Sequence, residues 1–501
     1  MRKPGIEILK LLLHRHALHC LTLCLTTSFF LISPVASAGM QERFNTYDKG
    51  DFQEPLLGLR LLAEQGNALA QNYLGVMYAT GQDAPQDYQQ ARQWFIKAAG
   101  KGEVLAQFNL GLMYSKGQGV PQDFQEAAKW YRMAAEQGQV KAQFNLGLIY
   151  ASGQGIPQDL QEAVKWCRKA AEQGDPSAQN YLGGVYAKGL GVTQDYQEAM
   201  QWYRKAAEQG DAPAQFNLGV MYAYGHGIPQ DFQEAIKWYR KAAEQGDVKA
   251  QYNLGVMYAK GQGVSQDSLE AIKWYRKAAE QGDGAAQFNL GVMHENGHGV
   301  PQDYQEAMMW YRKAAEQGEA PAQLNLGLMY TRNRGVSQNY VEAAKWFRKA
   351  AEQGLALAQN SLGVRYANGQ GVPLDYQEAV TWYRKAAEKG DSIAQFNLGA
   401  MYAKGQGVPQ DYHEAIRWYR KAAEQEMVLA QHELGVMYIQ GKGVIQDQVH
   451  AHMWFSIAAG KGYSQAQKNR DALAESMTPF QIAESQKFAH DCMESNYKEC
   501  G

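Results

Sequence analysis

Cysteine is scarce in this chain of 501 residues, charge is nearly balanced, and no apolar run beyond the first 38 residues is long enough to cross a bilayer. The balance, 49 basic against 51 acidic side chains, leaves no basic face of the kind a nucleic-acid partner requires. Catalytic signatures are missing too. No G-x-S-x-G elbow occurs, and the G-x-G pairs in GQGVPQD join helix to helix with no strand before them, so they do not match a dinucleotide fingerprint. No cofactor and no catalytic residue is expected.

The first 38 residues differ from the rest. A basic start (Arg2, Lys3, Lys10, Arg15) leads into an apolar stretch from about Ala17 to Val35 and then Ala36-Ser37-Ala38. That order reads as a secretory signal, residues 1–38, with the rival reading of an uncleaved anchor. Cleavage removes those four bases and Glu7, which takes the net charge from −2 to −5. Cys20 and Cys24 leave with the signal, and neither follows a small residue as lipid attachment would need. Of the three remaining, Cys492 and Cys500 are close enough to close a small loop in an oxidising compartment, and Cys167 is left over. A periplasmic or secreted location is expected, with no membrane span after signal removal.

What the chain has in abundance is glycine, tyrosine and tryptophan, all in register. The eleven tryptophans, from Trp94 to Trp454, are each 36 residues apart, and a glycine keeps the same step from Gly75 through Gly219 to Gly435. A fixed period of this length marks stacked supersecondary units. Residues 70–465 therefore read as eleven units, flanked by an N-terminal capping half-unit at 39–69 and capping helices at 466–501. In Ala214–Lys249, Ala214, Leu218 and Tyr222 fall at helical spacing and Gly225 ends the helix. After HGIPQ, Asp231 caps a second helix, with Glu234 placed to complete a capping box, and Asp247 caps the next unit. Phe232, Ala235, Trp238, Tyr239, Ala242 and Ala243 form its apolar stripe, so each unit is a helical hairpin whose small residues admit a close approach around tryptophan. Near the C-terminus, Thr478-Pro479-Phe480-Gln481 reads as a capped start to a last helix. Glu426 stands where other units close with glycine, so that junction is expected to bend differently.

Residues 294–298, HENGH, fit the zinc motif H-E-x-x-H. The motif needs both histidines on one continuous helix. His294 occupies the slot of Tyr222 or Tyr258, and Gly297 is the helix-ending glycine, so His298 falls beyond the helix and no metal site is expected.

With W-Y-R-K-A-A-E-Q-G, A-Q-x-N-L-G-x-M-Y and G-x-G-V-P-Q-D in register, the chain resembles the Sel-one-like repeat family, relatives of tetratricopeptide repeats. The resemblance implies an all-α fold, an α/α superhelical solenoid of eleven 36-residue helical hairpins with capping helices at both ends. It implies a non-enzymatic adaptor that binds protein or peptide, with exported bacterial members at the periplasm, cell surface or host contact. Cysteine-rich relatives are linked to β-lactam binding or hydrolysis. The paired cysteines of those relatives are missing here, and a hydrolase of β-lactam or cell-wall type is the alternative reading.

In a tetratricopeptide-like stack the first helices line the concave wall. The expected partner-binding residues there are Phe108, Asn109, Phe144, Asn145, Phe216, Asn217, Met221, Tyr252, Asn253, Met257, Phe288, Asn289, Phe396 and Asn397. Amides in a row suit an extended peptide backbone, and the rings and thioethers suit apolar contact. Packing between hairpins is the competing role. Arg332, Arg334 and Arg365 depart from the ruler and are expected to form a small basic patch for an acidic segment.

Overall fold

In the computed structural model the described residues are 55–82 and 84–495, with Tyr497 and Cys500. The signal reading at 1–38 and most of the N-terminal half-unit lie outside them. Among the described residues there are 25 helices and no strand. A first repeat begins with the helix Ala68–Thr80, and each later repeat starts 36 residues on. The described residues fall into two compact units, one running up to Leu254 with Gln262–Val264, the other made of Gly255–Gly261 and Ser265 onward. Within each, consecutive helices pack on one another as stacked hairpins, which makes the fold an all-α solenoid of repeats.

The fifth repeat shows why these residues fold this way. Its first helix, Ala212–Tyr224, starts at Asp211, whose side chain accepts from the Ala214 amide, and ends at Gly225 in the left-handed conformation. Its second helix, Phe232–Glu244, is capped by Asp231, which accepts from both the Gln233 and Glu234 amides at 2.9 and 3.0 Å. Glu234 does not complete the expected capping box. It turns outward and pairs with Lys237. Glu162 in the third repeat accepts from both Lys165 and the Trp166 indole. The last helix, Pro479–Glu494, does carry a full box, between Thr478 and Gln481. The loop is equally determined: Gln230 Nε2 donates to the Ala223 carbonyl at 2.6 Å, and the Asp231 amide donates to the Tyr222 carbonyl at 2.9 Å. Carbonyls that the first helix cannot satisfy internally are thereby paired.

Two glycines set the spacing. A Cβ on Gly219 would stand 2.7 Å from Cδ1 of Tyr239, so the two helices of a hairpin meet there at a distance no other residue allows. Gly227, at φ 74°, lies against Tyr196 of the preceding repeat, where a Cβ would come within 2.5 Å. The second glycine of G-x-G is thus an inter-repeat contact. The residue facing the glycine is the one after the tryptophan, a tyrosine or phenylalanine in ten repeats and Cys167 in the third. The tryptophans are core residues as well: seven of the eleven are buried, and Trp166 and Trp202 join the cores of the repeats before them. The lysine three residues on lies over the ring at 4.0–4.4 Å in nine repeats, a cation–π contact worth about 0.5–1 kcal/mol that covers the outer face of the indole.

Glu426 does not bend its junction. It adopts φ 65°, its amide and that of Met427 make the usual bonds to Ala423 and Ala422, and its carboxylate reaches Lys461 at 3.1 Å. At the C-terminus Cys492 and Cys500 are joined by a disulfide, while Cys167 is buried in the third repeat's core.

Because the Gly219 slot touches the tyrosine ring, Gly219→Ala should lower the urea midpoint of the first unit, at a cost of about 1–3 kcal/mol for overpacking. An unchanged midpoint by circular dichroism would mean that the hairpin can open without penalty.

Candidate partner-binding faces

The first helix of the fifth repeat buries Ala214, Gln215, Leu218, Gly219 and Met221 and leaves a strip at 213, 216, 217, 220 and 224 exposed or half-buried; the sixth, seventh and tenth repeats keep slots 216, 217 and 220 half-buried in the same way, while the second and third bury all three. Phe216, Asn217, Tyr252, Asn253, Phe288, Asn289, Phe396 and Asn397 all lie half-buried on such strips. The rings are anchored from below: Phe216 stands 5.8 Å from Tyr239, Phe288 5.8 Å from Tyr311, and Phe396 5.6 Å from Tyr419.

Six of the expected residues face inward instead. Met221 and Met257 are each 4% exposed, and Met221 belongs to the core of its hairpin. Phe108, Asn109, Phe144 and Asn145 are also buried, since Leu112 and Leu148 join Phe108 and Phe144 in the cores of the second and third repeats. None of the six can meet a partner without repacking. The asparagines also have a structural task the sequence reading missed. Asn109 donates to Asn72, Asn217 to Asn180 and Asn397 to Asn360, each at 3.0 Å, wherever the phenylalanine slot of the preceding repeat holds asparagine.

A second ladder was not anticipated at all. The buried glutamine of A-Q-x-N-L-G donates to an alanine carbonyl in the preceding second helix, as Gln215 does to Ala207 at 3.1 Å and Gln323 to Ala315 at 3.0 Å. Its carbonyl oxygen accepts from the glutamine of A-E-Q-G in its own repeat, as Gln215 does from Gln245 at 2.8 Å and Gln323 from Gln353 at 2.9 Å. The signal was present in the sequence as two glutamines on one ruler, 30 residues apart.

The arginines do not make a free basic patch. Arg334 pairs with Glu295 at 3.4 Å and lies over Tyr304, and Arg365 stacks over Tyr340 at 5.1 Å. Burial draws the Arg365 guanidinium below its usual range, opposed by the Tyr340 hydroxyl. Arg332 alone is exposed. The HENGH segment behaves as its helix break requires: Gly297 ends Gly284–Asn296 at φ 71°, His294 is buried and His298 lies outside on the surface. Among the described residues no cluster of three metal-ligating side chains occurs. Ser485 Oγ on the last helix stands 2.7 Å from Nδ1 of His452 in the eleventh repeat. Both residues are sealed, and Ser485 Oγ donates to the Ile482 carbonyl, so this serine is a packing group.

Comparison with known proteins places these features in context. The Sel1 repeat model matches eleven consecutive segments from residue 68 to residue 463 without a gap. A protective antigen of uropathogenic Escherichia coli strains with an SLR fold is 41% identical, with a TM-score of 0.79 over 89% of this chain and 96% of that one. A Sel1 repeat protein from Oxalobacter formigenes is 39% identical, with a TM-score of 0.51 over 62% of this chain and 89% of that one. No curated protein matches.

The caps themselves carry a pH dependence. Burial holds the Asp211 carboxyl above its ordinary value, offset by the Ala214 amide, with Asp175 adding repulsion and Lys141 opposing it. A raised carboxyl favours the folded state when protonated, so its contribution is present at low pH and lost as pH rises through the folded value. Asp211→Asn keeps the capping oxygen without the charge. The variant should melt above the wild type at pH 7, with the difference shrinking as pH falls toward 4; a lower melting temperature at pH 7 would contradict the buried-charge account.

Proposed function

The chain belongs to the Sel1-repeat family of protein-interaction scaffolds, and on that premise we propose that it is an exported, non-catalytic adaptor holding peptide segments of cell-envelope or host proteins. The observation that carries this reading is the strip on the first helices of the fifth to eighth and tenth repeats, where a half-buried amide (Asn217, Asn253, Asn289, Asn325, Asn397) stands beside an aromatic or aliphatic side chain. In the second unit the strip includes Phe288, Asn289, Val292, Asn325 and Leu328. An extended peptide presents a backbone donor and acceptor at each residue, and a row of carboxamides can engage both. The rings, held at fixed distances by the tyrosines beneath, lose little freedom on binding, which favours affinity.

Two observations support an exported location. The basic, apolar and A-S-A order of residues 1–38 has the form of a secretory signal. The Escherichia coli relative is described as a protective antigen, which fits a protein that the host encounters.

A pull-down from cell-envelope extract, followed by cross-linking and mass spectrometry, tests the reading. Each amide bond is worth about 0.5–1.5 kcal/mol net, so Asn289→Ala with Asn325→Ala should reduce recovery of the captured partner about tenfold while the helix content stays intact. Equal recovery, or cross-links confined to the second helices, would remove the first-helix face as the binding site.

A further inference from the structure

The glutamine ladder is broken at three places, and each break follows the same rule. Lys101, Lys389 and Lys461 stand where the other repeats carry the donor glutamine of A-E-Q-G. The acceptors opposite them are Gln71, Gln359 and Gln431, and the Oε1 atom of each is buried without a hydrogen-bond partner among the described residues. The lysines reach past it. Lys101 bonds the Gly66 carbonyl, Lys389 the Gly354 carbonyl at 2.5 Å, and Lys461 the Glu426 carboxylate at 3.1 Å, where its ammonium also lies 4.7 Å from the Tyr497 ring. A buried, unpaired carbonyl oxygen is costly, so a molecule bringing an N–H group to it gains more than it would at the surface.

In the ninth repeat the break opens onto a cleft of about 500 Å3. Gln359, 4% exposed, forms part of its lining, and its Nε2 is already committed to the Ala351 carbonyl at 3.0 Å. Around it stand Trp382, with Lys385 over its ring at 4.0 Å, then Glu352, Glu388 and Lys389. Seven sister junctions show what fits against this oxygen. In each, a side-chain carboxamide donates to the equivalent glutamine at 2.7–2.9 Å.

We infer that the cleft of the ninth repeat is a receptor for the carboxamide side chain of a glutamine in a partner peptide, which takes in trans the place that Lys389 leaves empty of its own glutamine. The incoming NH2 donates to Gln359 Oε1, and the Lys389 ammonium offers a hydrogen bond to the incoming carbonyl. Leu357, on the helix that carries Gln359, is 52% exposed. Ile393 and Leu429 repeat that exposure at 47% and 41% in the same slot of the next two repeats. This aliphatic row supports a peptide source over free glutamine, because it offers apolar contact to residues flanking the glutamine. Leu357, Ile393 and Leu429 occupy the 213 slot of the first-helix strip, but none of the strip's amides lines the cleft, so the Asn289→Ala and Asn325→Ala pair should leave carboxamide binding there unaffected.

The test is fluorescence anisotropy with the full chain and a labelled seven-residue peptide carrying a central Gln between leucines, its C-terminus blocked as an N-methylamide. Replacing that Gln by norleucine or Glu should weaken binding at least tenfold, since neither side chain can donate. Lys389→Gln restores the internal carboxamide found in the sister repeats, and should both abolish binding and raise the melting temperature. Gln359→Leu should also abolish binding. Equal affinity for the Gln and norleucine peptides, undiminished binding to Lys389→Gln, or free glutamine competing as well as the peptide would overturn the inference.

Discussion

Ten of the eleven hairpins depend on one close approach, that of a first-helix glycine to an aromatic ring on the second helix; in the third, Gly147 meets the Cys167 sulfur instead. At Gly219 the ring carbons of Tyr239 lie where a Cβ would be, and the same contact recurs at Gly291 against Tyr311 and at Gly435 against Phe455. With the helices this close, only alanine fits beside the ring, which is why Ala214, Ala235 and Ala242 are fully buried. The other large side chains pack around this contact. Tryptophan packs beside it with lysine over its outer face, buried in seven of the eleven repeats, and Phe216 lies on the first-helix strip above Tyr239. The strip that could receive a partner is a by-product of how tightly the hairpin closes.

Close packing fixes separation but leaves the sliding of one repeat over the next undetermined. The buried glutamine supplies that register. Gln215 binds a carbonyl in the preceding repeat and a carboxamide in its own, so a slip of one residue would leave two or three polar groups unpaired in the interior. Each such loss costs about 1–3 kcal/mol, far more than the few tenths contributed by an exposed pair such as Lys237 with Glu234. The charged outer face is therefore tolerant of change, whereas the glutamines are not.

These facts explain what could be read from the sequence and what could not. Helix starts and stops follow from local chemistry, so Asp231, Gly225 and Gly297 announced themselves, and with Gly297 the helix break inside HENGH. The 36-residue step revealed the stacking. It did not reveal which neighbour a side chain meets, because cross-repeat partners are offset from the period. Asn217 finds Asn180 at a separation of 37, and only where asparagine replaces phenylalanine in the earlier repeat. Tryptophan was placed correctly in the shared core but not at its tightest point, because a one-residue shift along a helix turns a side chain by about 100°, and it is Tyr239 that faces the glycine. Burial of Met221 and Asn109 was likewise invisible, since spacing on a helix does not say how far the adjacent repeat overlaps it.

In such an array the departures from the ruler carry the information that distinguishes one surface from another, and their meaning depends on compensation. Glu426 replaces a glycine, yet its carboxylate meets Lys461, which itself replaces a glutamine; the two changes share an ion pair and the junction keeps its backbone bonds. Arg334 is answered by Glu295 and Tyr304 in the same way. Lys389 is answered only in part. Its ammonium finds the Gly354 carbonyl, but the Gln359 oxygen that it should have served stays buried, and Leu374 has also replaced the loop glutamine that pairs the first helix's carbonyl in sister repeats. Gln71 and Gln431 are left unpaired opposite Lys101 and Lys461 as well, but the first and eleventh repeats keep their loop glutamines, Gln86 and Gln446, so the ninth repeat, lacking both carboxamides, is the least compensated of the three.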